Sequence, residues 1–278
     1  MPSALEKLRS TTMQSRHYHP SGVAGFSLLE IAIVLVIIAV LTTIVAVPLA
    51  TQVEQRRNEE TQRLLDAARD ALYGFAAANG RLPCPATAGS AGQESFCPNA
   101  SPASCGTPQT IAPAHGRCVN TIGLLPAVTL GIFPVDAGGY AQDAWADGSD
   151  SRRIGYAVSA YQNPTNTYVL TAPDGIKSAT MGTTATVSHL YVCSTGLTGA
   201  PPTTNCVAPG VTTLVDKAPT VLFSLGKNNA TNSSDELNNQ NGDKVFSSGI
   251  RTDTFDDLVT WLSMNTLFDR MVKAGKLP

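Results

Sequence analysis

The sequence predicts an α+β protein: a long N-terminal transmembrane/amphipathic helix packed on a small antiparallel-sheet head. Three observations indicate this class. An uncharged apolar run covers residues 31–50, and apolar residues recur with helical period from there to residue 79. Beyond residue 80 the chain is rich in Ser, Thr, Asn, Gly and Pro, and short apolar runs alternate with turn residues, as in a head of strands and loops.

These patterns divide the chain into four segments. They are a basic cytoplasmic leader at residues 1–25, a transmembrane half of the helix at 26–50, an amphipathic half at 51–80, and an exported head at 81–278. A run of about 20 apolar residues is roughly 30 Å long as a helix, which is enough to cross a bilayer. The leader holds more basic than acidic residues, so we expect it to stay in the cytoplasm while the head is exported.

The second half of the helix has one apolar face. Its stripe comprises Val53, Leu64, Leu65, Ala68, Leu72, Phe75 and Ala76. Because these residues are spaced at three- and four-residue steps, we expect them to pack under the head while charged residues cover the opposite face. Gly80 predicts the end of the helix, and Pro83 prevents it from resuming.

The head is predicted to contain short strands and one further helix. Candidate strands lie at residues 154–160, 168–171, 188–193 and 220–225. A last helix is predicted over residues 255–274 with Thr254 as its N-cap, and the Asn-rich segment 227–244 is predicted to be a loop.

Six cysteines follow the apolar run, where an exported head would meet an oxidising compartment. Their spacing lacks a Cys-x-x-Cys motif, so structural disulfides are favoured over zinc. Nesting the Cys97–Cys105 loop inside the Cys84–Cys118 loop avoids crossed links. The segment between Cys193 and Cys206 contains two prolines, and its ends can meet after a strand. The predicted pairs are Cys193–Cys206, Cys84–Cys118 and Cys97–Cys105, and other pairings stay open.

The apolar run is preceded by the motif Gly25-Phe26-Ser27-Leu28-Leu29-Glu30. A carboxylate inside hydrocarbon costs about 2.5–3.5 kcal/mol on insertion scales, so Glu30 is expected to have a partner. The motif resembles the processing site of type IV prepilins and type II secretion pseudopilins. The resemblance implies that prepilin peptidase cuts between Gly25 and Phe26 and N-methylates Phe26. The new ammonium of one subunit would then meet Glu30 of its neighbour during assembly. A Sec signal peptide or an ordinary uncleaved anchor are the simpler alternatives.

The same resemblance implies a function. The chain would be a pseudopilin or minor pilin that joins other subunits through its N-terminal helix in a secretion pseudopilus or type IV pilus. Before assembly it would cross the inner membrane once, with its N-terminus in the cytoplasm and its head in the periplasm. The net charge of −2 argues against a nucleic-acid partner, and catalytic motifs are missing. The alternative is a membrane-anchored periplasmic binding protein, adhesin or enzyme that keeps its N-terminal anchor.

Acidic residues late in the chain suggest a calcium ion as the one candidate cofactor. The candidate ligands are Asp235, Glu236, Asp243 and Asp256. They follow a Ser-Leu-Gly segment at 224–226, and a similar segment precedes the calcium site of major pseudopilins. Lys227 and Asn228 depart from that pattern, since an acidic residue and a glycine are usual there. A solvated, Asn-rich loop whose acids meet only water therefore stays an open interpretation.

Overall fold

The structure is a computed structural model that describes residues 25, 27–101, 104–147, 152–178, 189–229 and 233–277, without the side chains of residues 43–50. The leader before Gly25 and the residue Phe26 lie outside the described residues, so what we expect of them stays a prediction. The chain forms two compact units, the first ending at Thr51 and the second beginning at Gln52.

A long helix and two small sheets make up the described structure. The elements in chain order are α1 (Leu28–Asn79), β1 (Ile122–Leu124), α2 (Ala127–Leu130), β2 (Gly155–Val158), α3 (Gly175–Ser178), β3 (Leu190–Ser194), β4 (Thr213–Ala218), β5 (Thr220–Ser224), α4 (Ser234–Gln240), β6 (Val245–Ser248), β7 (Leu258–Trp261) and α5 (Met264–Lys273).

In the first unit, α1 begins at Leu28, within the predicted processing motif and three residues after Gly25. The Ser27 hydroxyl accepts a hydrogen bond from the backbone N–H of Leu29 at 3.2 Å, and the Ser27 carbonyl accepts one from Ile31 at 3.1 Å. A serine in this position satisfies N–H groups that the first helical turn leaves unpaired. Glu30 therefore lies in the first turn of α1, where its side chain is exposed.

The predicted fold class needs correction at this helix. Among the residues that the structure describes, no helix is both long enough and apolar enough to span a membrane.

The predicted small antiparallel sheet is also wrong, because the head contains two sheets and one of them is mixed. The first has the strand order β1-β2-β5-β7 and is antiparallel throughout. The second has the order β4-β3-β6, in which β3 pairs antiparallel with β4 but parallel with β6. A parallel pair requires a crossover connection, and here β4, β5 and α4 lie between β3 and β6 in the chain.

In the second unit, α1 buries the apolar face that its period predicts. Leu65, Ala68, Leu72 and Ala76 are each fully buried in the main core, although Val53 is exposed. The helix ends where predicted, since Gly80 follows its last residue with φ of +72°. A Cβ at Gly80 would also lie 2.9 Å from Asp174 Oδ1, so both backbone conformation and space favour glycine.

Strand predictions were right for three of the seven strands in the described part of the chain. Strands β2, β3 and β5 overlap three of the predicted segments. Of the fourth, only Tyr168 pairs, in an isolated bridge with Gln162, and β1, β4 and β6 were missed. The helix predicted over 255–274 is wrong in its first half. Residues Leu258–Trp261 form β7, and α5 begins only after Ser263. Pairing with β5 explains this, because it buries alternate residues of β7.

Three disulfides link the cysteines, which confirms the prediction of structural disulfides. The bonded pairs are Cys84–Cys118, Cys97–Cys105 and Cys193–Cys206, the same pairs that nesting and loop closure suggest. The first crosses from the turn after α1 to the segment before β1. The last closes the connection between β3 and β4.

Candidate metal centre

Three carboxylates meet where the turn after β5, the helix α4 and the start of β7 come together. Glu236, Asp256 and Asp257 each offer an oxygen atom, and these atoms all lie within 4.8 Å of one another. Glu236 is fully buried, Asp257 is 3% exposed and Asp256 is half-buried. We call these three residues the carboxylate cluster.

Helix α4 presents Glu236 because its N-terminus is capped. The Ser233 hydroxyl accepts a hydrogen bond from the Glu236 backbone N–H at 3.2 Å. Ser-x-x-Glu at 233–236 is the sequence pattern of a capping box, and it was a signal for a helix inside the segment that we predicted to be a loop.

The turn at residues 226–228 closes over Asp256. Strand β5 ends opposite the start of β7, with Ser224 paired to Leu258, so the turn that follows β5 lies beside the residues that precede β7. Gly226 has φ of +62°, and a Cβ there would lie 2.5 Å from the Asp256 carbonyl oxygen. Only glycine allows so close an approach of two backbones in this conformation.

Each carboxylate of the cluster receives a protein donor on one oxygen. Asn228 donates its backbone N–H to Asp256 Oδ2 and its side-chain amide to Glu236 Oε1, each at 2.9 Å. Asn239 donates to Asp257 Oδ2 at 2.8 Å. In the described part of the chain, Asp256 Oδ1 and Asp257 Oδ1 are buried and have no hydrogen-bond partner. A buried carboxylate oxygen without a donor is costly, so a proton or a cation is expected to meet it.

The electrostatics of the cluster lead to the same expectation. Burial, reinforced by the charges of Glu236 and Asp256, raises the pKa of Asp257 to about 7, against the hydrogen bond from Asn239. Burial also raises the pKa of Asp256, and the Glu236 carboxylate adds to that rise. A buried carboxylate whose pKa is raised in this way, as in Asp257, takes up a proton near neutral pH unless a bound cation balances its charge.

Arg152 lies next to the cluster and supplies a positive charge of its own. Its guanidinium donates to the carbonyl oxygens of Gly226 and Lys227, the second at 2.9 Å. Its charge opposes the rise in the pKa of Asp256. Arg152 thus stabilises the turn and offsets part of the negative charge, while its hydrogen bonds go to carbonyls and not to the two orphaned carboxylate oxygens.

The donor set fits a hard cation. All three clustered residues are carboxylates, the ligands that calcium prefers, whereas zinc and the softer metals favour His and Cys. Calcium takes six to eight oxygens, so further oxygens are needed. Asn229 Oδ1, directly after the turn, is also buried without a hydrogen-bond partner among the described residues.

The structure brings together only part of the predicted ligand set. Glu236 and Asp256 belong to the cluster, but the Asp235 carboxylate accepts the backbone N–H of Gly196 at 2.8 Å, and Asp243 accepts that of Val245 at 2.8 Å. Asp257 was missed because the sequence predicted a helix there, with Asp257 in its first turn. In an extended chain next to β7 the same residue reaches the cluster.

The buried pair of Ser159 and His189 does not extend this site. Ser159 Oγ lies 2.8 Å from His189 Nδ1, and both residues are less than 5% exposed. His189 precedes β3 and Ser159 follows β2, so the hydrogen bond connects the two sheets.

No protein-family model, curated protein or solved structure matches this chain.

Proposed function

We propose that this chain is a filament subunit of the prepilin type. Prepilin peptidase cuts it between Gly25 and Phe26 and N-methylates Phe26, and the mature chain assembles with other subunits into a type II secretion pseudopilus or a type IV pilus. Before assembly the subunit is associated with the inner membrane, and its head lies in the periplasm. The proposal rests on the motif at residues 25–30 and on the surface that follows it.

The observation that carries the proposal is the exposed apolar surface of α1 in the first unit. Eleven large apolar side chains between Leu28 and Leu41 are each 44–92% exposed. Contiguous apolar surface of this size is typical of an interaction site. Because it covers all sides of the helix, a packed bundle of like helices would bury it, whereas a single neighbour on one face would not.

Glu30 supports this assignment through its position. Within the described part of the chain it makes no ion pair, and it lies one turn from the predicted new N-terminus. In an assembly, the Phe26 ammonium of one subunit is a partner for the Glu30 carboxylate of the next, and the pairing sets the axial register between helices.

The disulfides support export of the head. Bonds such as Cys84–Cys118 persist in oxidising compartments and are rare in the cytoplasm. Within the head we infer that the carboxylate cluster holds a calcium ion, which would satisfy Asp256 Oδ1 and Asp257 Oδ1.

The mass of the protein purified from its native membrane tests the processing. We expect a chain that begins at Phe26 and carries a methylated amine, and we expect Gly25→Leu to block cleavage. A native protein that retains residues 1–25 would favour the alternative of an anchored periplasmic protein and would overturn the proposal.

The role of Glu30 is tested separately by Glu30→Ala. We expect normal cleavage but reduced recovery in sheared filaments, measured by immunoblotting, because the partner of the Phe26 ammonium is lost. Glu60→Ala is the matched control, since it removes an exposed α1 carboxylate from the second unit. Equal incorporation of both variants would contradict the role of Glu30.

A further inference from the structure

The 226–228 turn connects the carboxylate cluster to helix α1. On one side, Asn228 binds Asp256 and Glu236 through its backbone and side-chain amides. On the other side, Lys227 Nζ lies 3.0 Å from Glu54 Oε2, and Glu54 belongs to the α1 segment of the second unit. Two adjacent residues therefore contact two different elements.

A second contact joins α1 to the strand that follows the cluster. Arg69 donates to the Thr260 hydroxyl at 3.2 Å, and Thr260 is three residues beyond Asp257 on β7. Between these contacts, a groove of about 460 Å³ separates the helix from β7 and has Asn58, Gln62 and Asp257 in its lining. In addition to the apolar core that Leu65 and Leu258 share, these two side-chain contacts thus attach α1 to this part of the head.

We propose that a calcium ion bound by Glu236, Asp256 and Asp257 fixes the 226–228 turn and so strengthens the attachment of α1 to the head through Lys227 and Glu54. The proposal rests on the calcium site inferred above. It is supported by Asp257 Oδ1, an unpartnered atom on a cluster side chain that is only 3% exposed, and by Asn229 Oδ1, a buried amide oxygen next to the turn with no hydrogen-bond partner among the described residues.

A bound cation would fix the turn because it would fix the carboxylates to which Asn228 donates hydrogen bonds. Without a cation, Asp256 Oδ1 and Asp257 Oδ1 are buried with no hydrogen-bond partner among the described residues, and neighbouring carboxylates repel one another. A calcium ion bound to all three carboxylates would hold them in one arrangement, so Asn228, which donates to Asp256 and Glu236, and the adjacent Lys227 are held in place. The Lys227–Glu54 ion pair then forms with a smaller loss of conformational entropy, because the turn already holds Lys227 in place.

Hydrogen–deuterium exchange of the full chain in detergent, with calcium or with chelator, tests this coupling. We expect calcium to slow exchange of α1 backbone amides at residues 52–60 by about two- to fivefold, the range that an exposed ion pair supports. Lys227→Met should still bind calcium, measured by calorimetry, with an affinity lowered by no more than the same two- to fivefold factor, but it should lose the slowing. Lys273→Met is the matched control, because its pair with Asp269 joins residues within α5.

Linkage provides an independent check. Since coupling is reciprocal, Glu54→Gln should weaken calcium affinity by the same two- to fivefold factor by which calcium protects the helix. Calcium binding without any slowing at 52–60, or full slowing in Lys227→Met, would overturn the coupling while leaving the calcium site intact. Absence of calcium binding in the wild type would instead remove the site and the coupling together, and it would leave the processing of Gly25–Phe26 untouched.

Discussion

The Arg81–Glu94 ion pair and the carboxylate cluster both bury charged side chains in the second unit, but they differ in whether every carboxylate oxygen has a hydrogen-bond donor. Arg81 Nη1 and Nη2 each lie 2.7 Å from one oxygen of Glu94, and the backbone N–H of Cys84 also donates to Glu94. The rings of Phe75 and Phe96 lie 5.0 and 5.2 Å from the guanidinium. Both oxygens of Glu94 thus have a donor inside the chain.

The cluster has three carboxylates and leaves two oxygens without donors. Asn228 and Asn239 donate neutral amide hydrogen bonds, and Arg152 is engaged with carbonyls. The comparison suggests a general criterion: a buried carboxylate that has all its donors in the chain is structural, whereas one with orphaned oxygens is a candidate for a ligand.

Arg81→Met is expected to lower the free energy of unfolding by about 3–5 kcal/mol, because it leaves Glu94 buried and unpaired. Urea denaturation followed by circular dichroism measures the change. The control is Arg63→Met, which removes an exposed pair with Glu59 and should cost at most about 1 kcal/mol. The double variant Arg81→Met with Glu94→Gln should recover part of the loss. A single-variant loss no larger than that of Arg63→Met would show that the pair is not structural.

When a chelator keeps calcium away, titration of the carboxylate cluster is expected to lower the free energy of unfolding by roughly 2–4 kcal/mol as pH rises from about 4 to about 7. The folded state holds the Asp257 proton up to a pKa of about 7, whereas the unfolded chain releases it near 4, so rising pH favours unfolding. Asp257→Asn should flatten the profile measured by urea melts at several pH values. Parallel profiles for the variant and the wild type would show that Asp257 does not titrate as described.

Calcium at about 100 times its dissociation constant is expected to stabilise the protein by about 2.7 kcal/mol and to raise its melting temperature. Asp256→Asn and Asp257→Asn should lose this response, because each removes a charged ligand. Asp243→Asn should keep it, since Asp243 lies outside the cluster. Differential scanning calorimetry with calcium and with chelator measures this response. An unchanged wild-type melting temperature would mean that protons alone balance the negative charge of the cluster.

Ser233→Ala is expected to cost about 1 kcal/mol of stability, because the Glu236 backbone N–H loses its cap at the start of α4. Calcium affinity should also fall slightly, as Glu236 becomes less well positioned. Ser234→Ala, one residue into the helix, is the matched control and should be nearly neutral. Equal melting temperatures for the two variants would argue against a positioning role for Ser233.

Local signals in the sequence were enough for several elements. Gly80 marks the end of α1 because its positive φ is a backbone conformation that other residues adopt only with strain. The cysteine pairs follow from short, nested loops, and β2, β3 and β5 follow from apolar runs between turn residues. The apolar run that follows Glu30 is also evident from composition alone.

Tertiary pairing decided the rest. Residues 258–261 carry an amphipathic pattern that suits a helix, but pairing with β5 makes them a strand, since the hydrogen bonds and burial it provides exceed a weak local preference. That change moves Asp257 from a helix cap into the carboxylate cluster, next to Glu236 from α4. Local sequence signals thus limited which segments could form a helix, a strand or a crosslink, and which acids were available. Which of those acids meet depends on the pairing of strands that lie far apart in the chain, and no local signal specifies that pairing.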